Sequence, residues 1–161
     1  MKSPIIMAAF GTTSKALATY THLDTFLRDH FPGEEVLWGY SSRMITKRLQ
    51  ERGVKRAVHP QQLLQQLADR GVETAVVHSL HLFPGTEFHS LHDLARHSPV
   101  ECAVGMPILT SPRDYDEVGE LLRPLIAARP DRAVLLLGHG TVHPSWTAYY
   151  TLEKLLRQKF N

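Results

Sequence analysis

Residues 5–31 read IIMAAFGTTSKALATYTHLDTFLRDHF, and the fold follows from this stretch. The apolar run that ends at Phe10 is far too short to cross a bilayer and passes straight into a Gly-Thr turn, which is how a buried strand behaves. Beyond the turn, Leu17, Tyr20, Leu23, Phe26, Leu27 and Phe31 recur at helical spacing. They predict a helix over 14–31 with one apolar face, stopped by Pro32-Gly33. Strand, turn and amphipathic helix form the unit from which a parallel sheet covered by helices is assembled.

Outward from this unit the same alternation continues. Apolar runs predict strands at 5–10, 35–40, 74–80, 101–105 and 133–138, and helical periodicity predicts further helices over 61–70, 87–97 and 114–128. Near-continuous apolar strands are buried on both faces, so the expected fold is α/β: a doubly wound parallel sheet with helices on both sides.

The unit also occurs twice. A shift of 129 positions, which places Gly11 on Gly140, lays IIMAAF… on LLLGHG… without a gap, from Ile6 on Leu135 onward. Under it Thr12/Thr141, Tyr20/Tyr149, Leu23/Leu152, Arg28/Arg157 and Phe31/Phe160 are identical. Two readings stay open: any two strand-turn-helix units need similar residues, or the chain carries a duplication. On the second reading residues 1–130 form an N-terminal domain and 131–161 the first strand and helix of a second, pseudo-symmetric repeat. Most of that second domain, the equivalent of 33–130, is then expected to be missing.

Composition narrows the class. A chain of 161 residues with 43% hydrophobic content supports one well-buried domain. Eighteen basic and 16 acidic residues give a net charge of +2 without a polybasic run, which argues for a small anionic ligand over nucleic acid. The single cysteine, Cys102, excludes an internal disulfide framework and fits a reducing compartment as a packing residue. A cytoplasmic, soluble protein is expected. Motifs for dinucleotides, Walker-type phosphate loops, the G-x-S-x-G elbow and the H-E-x-x-H zinc helix are all missing.

Two segments carry candidate chemistry. In LLLGHGTVHPSW, residues 135–146, His139 stands where a parallel strand hands over to a helix, the edge at which open α/β sheets bind ligands. Glycines on both sides let a flat ligand or a metal approach the imidazole, and Thr141 adds a hydrogen-bond donor. His143, before Pro144, is read as a turn or cap residue rather than a second ligand. In VVHSLHLFPGTEF, residues 76–88, Glu87 sits at another strand-to-helix crossing on the same edge. It is either a functional carboxylate or a first-turn helix residue. His89 and His92, three apart, are either a chelating pair or solvated.

These segments, together with AAFGTT at 8–13, WGYSSRMITKRL at 38–49 and VGMPILTSPRDY at 104–115, resemble the class II chelatases over essentially the whole chain. The resemblance is to the CbiK-type anaerobic sirohydrochlorin cobaltochelatases. It implies two pseudo-symmetric α/β halves around a tetrapyrrole cleft, with His139 as metal-binding histidine and Glu87 as the acidic partner, both catalytic and both ligating the metal. A further metal-binding histidine and a glutamate of the family's C-terminal half have no counterpart here.

The implied activity is insertion of divalent cobalt into sirohydrochlorin during cobalamin synthesis, by a lyase-class chelatase with no permanently bound cofactor; iron or nickel are alternative metal substrates. Neutral imidazole ligates a late divalent metal and accepts protons near neutral pH. Phe10 is expected to offer an apolar surface to the macrocycle. Gly11, Thr12, Gly85, Gly140 and Thr141 are expected to border it, and Arg43, Lys47 and Arg48 beside Ser41 and Ser42 are candidates to meet its carboxylates, a solvated helix face being the alternative that weighs more for Lys47 and Arg48 than for Arg43. Ferrochelation for sirohaem or haem, and a non-catalytic tetrapyrrole- or metal-binding remnant, are the competing functions. The apolar face with Trp146, Tyr149, Leu152, Leu155 and Phe160 predicts a homo-oligomer.

Overall fold

Ile5–Ala9, the strand β1, carries no polar side chain, so both of its faces need cover, and it takes the inside of the sheet. The computed structural model describes residues 3–54, 56–128 and 132–160. In it β1 pairs in parallel with β2 (Val36–Tyr40) on one side and β3 (Thr74–Ser79) on the other, and β3 pairs with β4 (Glu101–Gly105). The order is β2-β1-β3-β4. The chain therefore reverses direction across the sheet between β1 and β3, which opens a crevice at the strands' carboxyl ends.

The period-2 alternation of β1 divides the core. Ile6 and Ala8 face Leu63, Leu64 and Leu67 of α3 (Pro60–Asp69) together with Leu91 and Ala95 of α4 (Thr86–Arg96). Ala9 faces the other way, into a cluster with Tyr40, Leu49 and Ala57 that is closed by Leu17 and Tyr20 of α1 (Leu17–His30) and Ile45 of α2 (Arg43–Glu51). Helices thus cover both faces, the doubly wound arrangement the sequence calls for. Each fully buried Leu or Val in these clusters contributes about 1.5–3 kcal/mol.

The helix starts are set by caps. Ser42 accepts from the Ile45 N–H at 3.3 Å to begin α2, which sequence periodicity missed. His59 and Gln62 form a capping box, with Pro60 at the first position of α3. Ser111 and Asp114 do the same for α5 (Pro112–Ala127). The first helix begins at Leu17, not at Ser14, and Phe26 and Phe31 of its expected apolar face point to solvent at 51% and 47% exposure.

One strand is corrected. Residues 133–138 do not join the sheet; 132–140 are exposed and irregular, with Leu135 and Leu137 at 79% and 87% exposure. Hydrophobicity alone does not make a strand, because a strand exists through hydrogen bonds to a neighbour. No described strand extends the sheet beyond β4 or β2 to receive it. After a short 3₁₀ turn (Pro144–Trp146), α6 (Thr147–Phe160) packs on α5. Lys159 Nζ reaches Asp116 and Glu120 at 3.1 and 3.0 Å, and the Arg123 guanidinium lies 4.9 Å from the Phe160 ring centre. Hydrogen bonds from Arg123 and Lys159 hold Glu120 down to about 2.

Under the 129-residue shift α1 and α6 coincide to within one residue, and Gly11 and Gly140 both take left-handed φ, 93° and 78°. That conformation is the one glycine adopts without strain.

Candidate active site

Three chain segments leave the sheet at its carboxyl edge and turn into helices around one cleft of about 440 Å³. Phe10, following β1, is 49% exposed and forms part of the wall. Ser41 and Arg43 come from the β2–α2 connection, and Glu87 from the first turn of α4. Four of the residues singled out in the sequence therefore meet. His59, Pro60, Gln61, Thr86, Ser90, Leu91 and Leu94 complete the lining and were not anticipated. The His-Pro-Gln-Gln run at 59–62 was legible as a capping box, but nothing in sequence separation places it opposite Glu87.

The cleft is chemically divided. Phe10, Pro60, Leu91 and Leu94 make apolar ground; Arg43, His59 and Glu87 supply charge or titratable groups. The Ser41 hydroxyl is buried without a hydrogen-bond partner among the described residues, a group that costs free energy until something bonds to it. His59 is lowered by burial, with the nearby Arg43 guanidinium acting in the same direction.

The remaining expected polar residues serve local turns. Thr12 Oγ1 accepts the Ser14 N–H at 3.1 Å, leading into α1, and Thr141 Oγ1 accepts the His143 N–H at 3.1 Å. Ser42 caps α2 as described, and Gly85 is the residue at which α4 begins. His143 is a cap, as its place before Pro144 indicated: its Nδ1 accepts the Ser145 N–H at 3.1 Å.

His139 is exposed and does not line the cleft. Its segment is nonetheless fastened beside Glu87. The Tyr149 ring packs edge-on against Phe83 at 4.9 Å between centres, and His143 lies 5.1 Å from His89. A Cβ built on Gly85 would sit 3.4 Å from Ser145 Oγ and 3.9 Å from Glu87 Oε2, so that turn is shared ground. Gly140 donates its backbone N–H to the Tyr149 hydroxyl at 3.0 Å, while the Tyr149 ring covers Gly138 so closely that a Cβ there would collide.

At the end of β3, Ser79 Oγ and His81 Nδ1 share a hydrogen bond of 2.8 Å. His81 Nε2 is buried with no partner among the described residues. Burial lowers His81, opposed by the charge of Glu87, so the imidazole stays neutral at physiological pH.

The profile of the cobalt chelatase (CbiK) family matches residues 3–161. The chain belongs to that family. Over 165 residues it is 33% identical to the sirohydrochlorin cobaltochelatase CbiKC of Nitratidesulfovibrio vulgaris strain Hildenborough, an alignment covering 98% of this chain and 58% of the relative. Against the sirohydrochlorin cobaltochelatase of Salmonella typhimurium strain LT2 the identity is 26% over 162 residues, covering 97% of this chain and 61% of the relative. The chain thus spans about three-fifths of the length of these curated relatives. A serine recombinase from Sulfolobus solfataricus aligns at 12% identity with a TM-score of 0.34, over 99% of this chain and 100% of that one, and at that score carries no argument.

In this CbiK-family chain no three His, Cys, Asp or Glu side chains among the described residues converge as metal ligands. No helix among them is long and apolar enough to cross a membrane.

Proposed function

We propose that this CbiK-family chain takes part in inserting divalent cobalt into sirohydrochlorin, with the metal as substrate. The observation that carries the reading is the cleft at the sheet's carboxyl edge, where Phe10, Ser41, Arg43 and Glu87 meet in a chain whose family profile spans residues 3–161. Both relatives are sirohydrochlorin cobaltochelatases by name. The remaining elements of the reading are a cytoplasmic location, a second repeat beginning in 131–161, and association of two copies.

Insertion replaces two pyrrole N–H protons by one metal ion. In this reading an edge of the macrocycle rests on Phe10, Leu91 and Leu94, and Arg43 holds a carboxylate of its rim. His139 ligates the incoming ion through a neutral imidazole nitrogen and strips its water, a task its exposure between two glycines permits. Glu87 accepts the two pyrrole protons one at a time, passing each to solvent, and its ionised carboxylate balances the cation's charge between transfers. Gly11, Thr12, Ser42, Gly85, Gly140 and Thr141 shape the turns that border the ring.

Two copies are invoked because the repeat places 134–138 on β1, a strand with neighbours on both sides, whereas 134–138 has none. A second copy related by a two-fold axis would cover Leu135, Leu137 and Trp146 on both partners at once.

The test is steady-state insertion of cobalt, iron and nickel into sirohydrochlorin by one preparation. Cobalt insertion that fails in His139→Ala and Glu87→Gln is the expected result. A preference for iron would move the reading to ferrochelation. Tight tetrapyrrole binding without insertion of any metal would leave a binding module.

A further inference from the structure

A second cavity, of about 320 Å³, lies between α2 and α3 and shares Arg43, His59 and Gln61 with the cleft. Its other walls are Thr46, Lys47, Gln50 and Gln62, so unlike the cleft it has no large apolar side chain. The two spaces adjoin at these three residues, and the lining is more apolar toward α4 and polar toward α2.

Some of the chain's cations are neutralised by carboxylates, and the two at this feature are not. Arg28, Arg70, Arg113, Arg123, Arg157 and Lys159 each hold a carboxylate at 2.7–3.1 Å. Arg43 and Lys47 face the cavity with no carboxylate partner among the described residues. Side-chain amides of Gln50, Gln61 and Gln62 surround them, and no acidic residue lines this groove. Two cations without counter-charge, set among amide groups in a concavity, form a carboxylate-binding arrangement.

We infer that the α2–α3 groove is the subsite that binds the carboxylate side chains of a macrocyclic substrate, with Arg43 and Lys47 as the charged contacts and His59 as the post between ring and side chain. The inference rests on the tetrapyrrole reading above and adds where the acidic periphery goes. Of the two readings open for Lys47 it takes the binding one, while Arg48, which lines neither cavity, takes the solvated helix face.

The probes are uroporphyrin, which carries eight carboxylates, and its octamethyl ester, titrated into the full chain by tetrapyrrole fluorescence. Arg43→Ala and Lys47→Ala should each weaken uroporphyrin binding about tenfold or more, as expected for loss of a hydrogen bond to a charged group. Arg48→Ala should bind as wild type does, and ester binding should be weak and unmoved by all three substitutions. His59→Asn keeps a side chain able to cap α3 and should weaken uroporphyrin binding without lowering the melting temperature. Arg43→Ala and Lys47→Ala variants that bind like wild type, or an Arg48→Ala variant that loses as much as they do, would overturn the subsite. So would a wild type that holds the ester as tightly as the acid, although the tetrapyrrole reading would then stand. A wild type that binds neither probe would bring down that reading and the subsite with it.

Discussion

Gly140 donates its backbone N–H to the hydroxyl of Tyr149 at 3.0 Å, and the pair stands 129 positions on from Gly11 and Tyr20. Tyr149, from the first helical turn, thus reaches back to the left-handed glycine that precedes its helix. The same ring also lies over Gly138, so Tyr149 braces both flanks of His139.

Tyr149→Phe should therefore loosen 138–140 while keeping the ring in place. The lost bond is worth about 0.5–1.5 kcal/mol. Amide exchange at Gly140 should quicken, and cobalt insertion should fall several-fold more than thermal stability does. Unchanged exchange at Gly140 would show that the ring alone holds the turn.

His139→Ala should abolish insertion and leave the melting temperature within a degree or two of wild type, because an exposed turn side chain contributes little to packing. Normal turnover in this variant would remove His139 from the mechanism. Calorimetry beside the insertion assay separates the two quantities.

Stability should fall as the solution is acidified. His59, His78 and His81 are all lowered, burial being the leading cause in each. A base with a depressed folded pKa leaves stability intact above its unfolded value of about 6.5. Below that, the unfolded chain binds protons that the native state refuses, and stability drains until pH passes the folded values. Urea midpoints should be lower at pH 5.5 than at pH 7.5, and His78→Gln, at a position outside the cleft, should flatten the dependence. Equal midpoints for wild type at the two pH values would contradict the burial argument.

Sedimentation at micromolar concentration should show self-association, and Leu135→Lys with Leu137→Lys should dissolve it without unfolding the chain, since both side chains are solvent-exposed in a single copy. A wild-type monomer at that concentration would remove the self-association reading.

The parts of this fold that the sequence revealed are those that solve their burial locally. Ile6, Ala8 and Val77 sit in uninterrupted apolar runs, and each became a sheet strand. The run at 133–138 was equally apolar and did not, because pairing depends on a neighbour that sequence periodicity does not see. Helix α2 was missed although Ser42 marked its start: RMITKRLQE is a short segment with four charged side chains, and Thr46 and Leu49 are what it buries. In the site, Glu87 and Arg43 were legible singly from their turns. Their meeting across one cleft depends on the strand order β2-β1-β3, and no residue spacing encodes that.

The thin burial of the last two helices has a kinetic meaning. Among the described residues α5 buries Gly119 and α6 buries Ala148, whereas α3 alone buries Pro60, Leu63, Leu64 and Leu67. Free energies of local opening follow buried apolar contact, so the α5–α6 pair should detach in sub-global excursions that leave the four-stranded sheet intact. The segment bearing His139 lies between those two helices and would travel with them. A macrocycle could then enter the cleft beside an undisturbed Glu87 during such an opening.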